Sequence, residues 1–124
     1  MIGKAYVCTF PFYDMKQGKM SYKNRPVLII GKADLSDYVV LPISRVTQRH
    51  RLVPEYDLEI TANVFPRMNM KQTSYIRTHK QQIANSAELS YEIVDFRKEY
   101  PETFSIVLKK VEQFQIQMLQ DARS

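Results

Sequence analysis

An arginine and a serine stand at the outer ends of two apolar stretches of this sequence. The stretches cover residues 26–30 and 38–43; Arg25 directly precedes the first, and Ser44 directly follows the second. A guanidinium group binds phosphate oxygens through a planar fork of N–H donors, and a hydroxyl group adds one more donor. We therefore expect Arg25 and Ser44 to meet on a surface that binds a nucleic acid and to contact a phosphate there.

Basic and aromatic residues are interleaved around these two positions. Residues 1–80 contain 13 Lys and Arg against 6 Asp and Glu, a net charge of +7, whereas residues 81–124 contain 5 against 7, a net charge of −2. Cationic side chains hold phosphates, and planar side chains stack on unpaired bases, as in most complexes with single-stranded RNA. The predicted surface comprises Tyr22, Arg25, Arg45, Arg49, His50, Arg51, Tyr75, Arg77, His79 and Lys80.

Other kinds of chemistry find little support in the sequence. Three glycines leave no room for a glycine-rich phosphate loop, and Ser44 lacks the Gly-x-Ser-x-Gly context of an acyl-transfer nucleophile. The two histidines, His50 and His79, do not lie at metal-ligand spacings with carboxylates. Cys8 is the only cysteine, which excludes an internal disulfide, and we expect it to be a small buried hydrophobic residue. The sequence thus predicts neither a metal site nor a cofactor.

The hydrophobic pattern predicts about five strands followed by helices in one domain of residues 1–124, a mainly β or α+β fold. Residues 3–12 are predicted as a strand and residues 13–24 as a long mobile loop. The stretches "RPVLIIGK" and "DYVVLPIS" are typical of strands covered on both faces. "YDLEIT" and "TSYIRTHKQQI" alternate with a period of two.

The last third of the chain is predicted to be helical. Residues 86–100 are read as a short helix that ends before Pro101, and a second helix begins at that proline. One stripe of the second helix is predicted to be core or interface: Phe104, Val107, Leu108, Val111, Phe114, Met118 and Leu119. The sequence has no apolar run of membrane-spanning length and no secretory signal pattern, so we expect a cytoplasmic protein.

Four segments, taken in order, resemble the PemK/MazF toxins of bacterial toxin–antitoxin pairs. They are "TFPFYD", "KNRPVLII", "VVLPIS" and "SYIRTHK", and the resemblance covers roughly residues 2–120. It implies a compact SH3-like barrel with a C-terminal helix, a homodimer, and a cognate antitoxin whose extended tail blocks the RNA groove. It also implies a metal-independent endoribonuclease that cleaves single-stranded messenger RNA at a specific sequence.

The resemblance assigns roles residue by residue. Arg25 matches the arginine that the family uses at the scissile phosphate, and Ser44 matches a position where relatives carry Thr or Ser. Ser21 matches an RNA-binding loop serine of some members. Tyr75 stands where many relatives have Gln, a departure that concerns base preference more than chemistry.

The expected reaction is attack of a 2′-hydroxyl on the adjacent phosphodiester, which leaves a 2′,3′-cyclic phosphate and a 5′-hydroxyl. Arg25 and Ser44 would stabilise the charge that builds on the non-bridging oxygens. Histidine titrates near neutrality, so our hypothesis is that His79 shuttles a proton. Two alternatives remain: a CcdB-like gyrase poison on the same kind of barrel, and an RNA-binding barrel without catalysis.

Overall fold

The computed structural model describes residues 1–124 and contains seven strands and two α-helices. The strands are β1 (Ala5–Asp14), β2 (Lys19–Lys32), β3 (Asp37–Ser44), β4 (Asp57–Ile60), β5 (Ser74–Arg77), β6 (Gln82–Asn85) and β7 (Leu89–Val94). The helices are α1 (Phe96–Glu99) and α2 (Pro101–Arg123), and short 3₁₀ turns cover Arg49–Arg51, Pro66–Met68 and Ser86–Glu88. The expected mainly β fold with a C-terminal helix is confirmed.

All strand pairs are antiparallel and form one curled sheet. The strand order is β4-β5-β3-β2-β1-β7, and β6 pairs with the N-terminal part of β3 while β5 pairs with its C-terminal part. Strand β3 therefore has β2 on one side and two different strands on the other. The β2–β3 register ends at Val27 and Pro42, and the last two residues of β3, Ile43 and Ser44, are paired with β5.

Two groups of buried side chains lie on opposite faces of the sheet. The larger group takes Leu28 and Leu41 from the central strands and Phe104, Val107 and Val111 from α2. The smaller group takes alternate positions of the same strands and comprises Cys8, Val27, Ile29, Val40 and Ala84. Central strands covered on both faces explain the continuous apolar runs of the sequence. The predicted burial of Cys8 is confirmed.

The predicted loop at residues 13–24 is wrong, because this segment is the tip of a long hairpin. Strands β1 and β2 pair without interruption from Ala5–Leu28 to Asp14–Lys19. The turn is closed by Asp14, whose Oδ1 accepts hydrogen bonds from the backbone N–H groups of Lys16 and Gln17 at 2.9 and 3.2 Å. Gly18 supplies the positive φ of 65° that ends the turn. Polar residues form strands here because β1 offers a complete set of backbone partners.

The predicted short helix at residues 86–100 is also largely wrong. Only Phe96–Glu99 is helical, whereas Leu89–Val94 forms β7 along the free edge of β1. Strand formers at alternate positions, Leu89, Tyr91 and Ile93, carry the signal that the helical reading overlooked. The predicted fifth strand, residues 73–83, is interrupted and becomes β5 and β6, and this split together with the extra edge strand β7 brings the number of strands from the expected five to seven.

Helix α2 begins with Pro101 at its first position, as predicted, but only part of its apolar stripe is buried. Phe104, Val107 and Val111 join the core, and Phe114 packs edge-on against Tyr56 with ring centroids 5.4 Å apart. The rest of the predicted stripe is open to solvent: Leu108 in its middle is 42% exposed, and Met118 and Leu119 at its end are 47% and 45% exposed. The buried residues of α2 end at Val111, whereas the helix continues to Arg123.

Candidate functional site

Arg25 and Ser44 lie on the same face of the sheet. The register pairs Val27 of β2 with Pro42 of β3, so these two side chains point to one face. Arg25 stands two residues before Val27, and Ser44 stands two residues after Pro42. Because side chains alternate along a strand, both residues return to that face. Continued for two residues, the register would place Arg25 opposite Ser44.

The β2–β3 ladder ends at Val27 and Pro42, and a cleft opens beyond this pair. Pro26 and Pro42 have no N–H group, so neither can donate a hydrogen bond to the opposite strand. From there β2 stays with β1, where Arg25 pairs with Cys8, while Ser44 of β3 pairs with Tyr75 of β5. Arg25, within β2, and Ser44, at the end of β3, both line the cleft.

The cleft has a volume of about 870 Å³ and is rich in positive charge. Its cationic lining residues are Lys23, Arg25, Arg45 and Lys71, and its one acidic residue is Glu92. The Lys4 ammonium lies 2.9 Å from Oε1 of Glu92, and this ion pair raises the pKa of Lys4. Amide side chains of Asn24, Asn69 and Gln72 also line the cleft. The lining therefore favours an anionic ligand with polar groups.

Arg25 is exposed and takes part in none of the ion pairs of the protein. Its neighbours are more restrained: Arg45 donates from Nη1 to Oε1 of Gln72 at 2.7 Å, and the Lys23 ammonium lies 4.4 Å from the centre of the Phe12 ring. The guanidinium of Arg25 thus keeps all its N–H donors for a ligand, which suits a phosphate.

Tyr75 lies next to Ser44 on the neighbouring strand and hydrogen-bonds to an acid. Its Oη donates to Oε2 of Glu59 at 3.2 Å. Burial and this contact with Glu59 raise the pKa of Tyr75, so the phenol stays protonated. Glu59 is itself paired with Tyr75 in the β4–β5 register. Sequence reasoning placed Glu59 on the polar side of its strand but gave it no role.

Arg77, predicted to bind RNA, is bound to an aspartate. Its Nε donates to Oδ1 of Asp57 at 3.0 Å and its Nη2 to Oδ2 at 3.3 Å. The same Nη2 donates to the carbonyl of Arg51 at 3.1 Å, and the N–H of Val53 donates to Asp57 at 2.8 Å. Arg77 therefore holds residues 45–55, here called the basic loop, against the sheet, and its own charge is largely neutralised by Asp57.

His79 is not one of the residues that line the cleft. Its side chain is 11% exposed, and both ring nitrogens are buried without a hydrogen-bond partner. The ring packs between Tyr56 and Phe114, with centroid distances of 5.7 and 6.3 Å. Burial lowers the pKa of His79, and the charge of Asp57 acts in the opposite direction. The structure thus does not bring His79 together with Arg25 and Ser44.

The remaining predicted RNA-binding residues are not among those that line the cleft. Ser21 and the exposed Tyr22 stand on the hairpin arm of β2, and Lys80 is exposed after β5. The 3₁₀ turn of the basic loop presents three exposed residues, Arg49, His50 and Arg51.

Sequence reasoning missed several residues of the cleft. Tyr91 is 63% exposed and lines it, but it was assigned to a helix. Lys23 precedes Arg25 by two residues, so the period of a strand would have placed both on one face. Lys71 and Asn69 come from the irregular connection between β4 and β5, for which no pattern gave a signal.

No group of three or more His, Cys, Asp or Glu side chains is arranged to hold a metal ion. None of the helices combines the length and apolar character needed to cross a bilayer. No protein-family model matches the chain, and a search of curated proteins finds no significant match.

Proposed function

We propose that the protein is a PemK/MazF-type toxin, an endoribonuclease that cleaves single-stranded RNA without a metal ion. The observation that carries the proposal is the position of Arg25 and Ser44, an unpaired guanidinium and a hydroxyl at the mouth of one cationic cleft. In the attack of a 2′-hydroxyl on the adjacent phosphodiester, negative charge builds on the non-bridging oxygens. Arg25 is held within β2 and Ser44 at the end of β3, so these donors stabilise that charge without having to reorganise.

The rest of the cleft supports an extended anionic ligand. Lys23, Arg45 and Lys71 line the same cleft as Arg25, add positive charge to it, and would hold the phosphates that flank the scissile one. The exposed Tyr91 offers a ring on which a base could stack. A strand of RNA with splayed bases makes use of both the cationic groups and the stacking surface, whereas a small anion uses only the cationic groups.

The proposal includes the family's other properties. The curled sheet with a helix over one face is compatible with an SH3-like barrel. We further propose a cytoplasmic homodimer whose cognate antitoxin occupies the RNA groove. The exposed apolar residues of α2, among them Ile116, Met118 and Leu119, are available for protein contacts of this kind.

The proton transfers are not assigned to His79. A ring whose two nitrogens are buried cannot exchange a proton with RNA in the cleft unless the surrounding side chains move. In this proposal Arg25 and Ser44 stabilise the phosphorane, and the product ends are a 2′,3′-cyclic phosphate and a 5′-hydroxyl.

The test is cleavage of a long single-stranded RNA in excess EDTA, with the ends mapped. We expect discrete cuts that leave 5′-hydroxyl ends and disappear in Arg25→Ala. Arg67→Ala is the matched control, because Arg67 is an exposed arginine outside the cleft. If the purified protein binds the RNA but leaves it intact, the nuclease proposal is wrong and a binding module takes its place. If the protein neither binds nor cuts the RNA, the result favours the alternative of a CcdB-like gyrase poison.

A further inference from the structure

A row of three side chains leads from the proposed phosphate site to an acid that forms no ion pair. Ser44 of β3 is paired with Tyr75 of β5, and Tyr75 is paired with Glu59 of β4. Paired residues point to the same face, so the three side chains stand side by side across adjacent strands. With strands about 4.8 Å apart, Glu59 lies roughly 10 Å from Ser44 along the sheet.

Glu59 places a negative charge next to the proposed phosphate site, where it would weaken the binding of an anionic ligand. It is exposed, forms no ion pair, and stands beside a surface that we propose to bind phosphates. Its negative charge repels any phosphate that comes near. A carboxylate is useful at such a place if the ligand presents N–H donors there, and in RNA these belong to the bases.

The hydrogen bond from Tyr75 orients this carboxylate. It occupies one lone pair of Oε2, at 3.2 Å, and leaves Oε1 and the remaining lone pairs of Glu59 free. Tyr75 is half-buried, so its ring is held against the sheet and is available as a stacking surface next to Ser44. A ring that stacks and a carboxylate that accepts are the two parts of a base-binding subsite.

We propose that Tyr75 and Glu59 form a guanine-binding subsite beside the phosphate held by Arg25 and Ser44, a proposal that rests on the proposed function. Guanine carries two adjacent donors on its Watson–Crick edge, N1–H and the exocyclic amino group. A carboxylate can accept both at once. Adenine, cytosine and uracil each present a single donor group on that edge next to acceptors, which the carboxylate repels.

The separation along the row fits this assignment. Two strand spacings divide Ser44 from Glu59, a span comparable with that from a phosphate to the far edge of a neighbouring base. Tyr75 lies between them, where the base itself would stack. The subsite would therefore select the nucleotide next to the cut rather than a distant one.

The test measures binding separately from cleavage. The probes are oligouridylates with 2′-fluoro sugars, which lack the attacking hydroxyl, and each carries one central guanine, hypoxanthine or adenine. Hypoxanthine differs from guanine by the loss of the exocyclic amino group alone. We expect the wild-type protein to bind the guanine probe about 10-fold more tightly than the other two, and Glu59→Gln to abolish that difference.

Glu55→Gln is the matched control, because it removes an equal charge from an exposed residue outside the row and should keep the guanine preference. Equal binding of the guanine and hypoxanthine probes by the wild-type protein would overturn the inference, as would an undiminished preference in Glu59→Gln. Guanine preference without any cleavage of natural RNA would refute the nuclease but keep the subsite. Cleavage of natural RNA without any guanine preference would support the nuclease and refute the subsite.

Discussion

Arg77 and Asp57 stand opposite each other on β5 and β4 and are joined by two hydrogen bonds, of 3.0 and 3.3 Å. The Asp57 side chain is 2% exposed and that of Arg77 is 17% exposed, so the pair is largely removed from water. Further bonds link the pair to the backbone of Arg51 and Val53. The basic loop that carries Arg49, His50 and Arg51 is thus fastened to the sheet through this pair.

Replacing Asp57 by Asn should strongly destabilise the protein. The substitution leaves the Arg77 guanidinium without a countercharge where water cannot replace it, and loss of one partner from such a pair costs about 3 kcal/mol or more. Urea denaturation of Asp57→Asn and the wild-type protein measures this difference. Glu55→Gln, an exposed change of equal charge, should stay within about 0.5 kcal/mol of the wild type. A similarly small effect at Asp57 would mean that the pair does not hold the loop.

The buried His79 should make stability fall as the pH is lowered. Burial lowers its pKa from 6.5, Asp57 raises it, and Arg77 and Lys80 lower it further. The folded state then binds fewer protons than the unfolded state, so stability is full above the unfolded pKa and is lost as the pH falls below it. This contribution levels off once the pH is below the folded pKa.

His79→Phe isolates that contribution, because it keeps a ring against Tyr56 and Phe114 and removes the titrating group. We expect the free energy of unfolding to fall less in the variant than in the wild type between about pH 7.5 and about pH 5. Urea titrations at several pH values measure both slopes. Parallel curves would show that His79 is equally protonated in the folded and unfolded states.

Cys8 should resist thiol reagents in the folded protein. Its side chain is fully buried, and burial, with a smaller effect of the Glu88 charge, raises the pKa of the thiol to about 11. The thiolate is the reactive form, so both access and ionisation are unfavourable. Mass spectrometry after iodoacetamide treatment should find Cys8 unmodified in buffer and modified in urea. Rapid labelling in buffer would mean that β1 opens frequently.

The sequence pattern predicted the parts of the fold that depend on local chemistry. Continuous apolar runs indicated the central strands, and Pro101 marked the start of α2. The hairpin tip at 13–24 and strand β7 were missed, because their residues are polar or mixed and become strands by pairing with β1. Pairing between distant segments overrides local preference in such strands.

The candidate site likewise contains residues that the sequence could reveal and residues that only the structure shows. Arg25 and Ser44 could be found because each stands at the edge of an apolar run, where a functional polar residue is conspicuous. Asp57 and Glu59 could not, since an alternating strand gives every polar residue the same appearance. Their partners, Arg77 and Tyr75, are 20 and 16 positions away in the chain, and only the β4–β5 register brings them together.

Substitutions at Arg25 and Ser44 should separate geometry from charge in the proposed cleavage. Lysine at position 25 keeps the positive charge but not the planar fork, so Arg25→Lys should lose most of the rate. Loss of a single donor to the transition state costs about 100-fold, and we expect Ser44→Ala to approach this value while Ser44→Thr, which keeps a hydroxyl, stays close to the wild type. Single-turnover cleavage rates at saturating protein measure each effect apart from binding.

Ser105→Ala, which changes an exposed serine on α2, is the control and should leave the rate unchanged. A full rate in Arg25→Lys would show that charge alone suffices, and a full rate in Ser44→Ala would remove the hydroxyl from the mechanism.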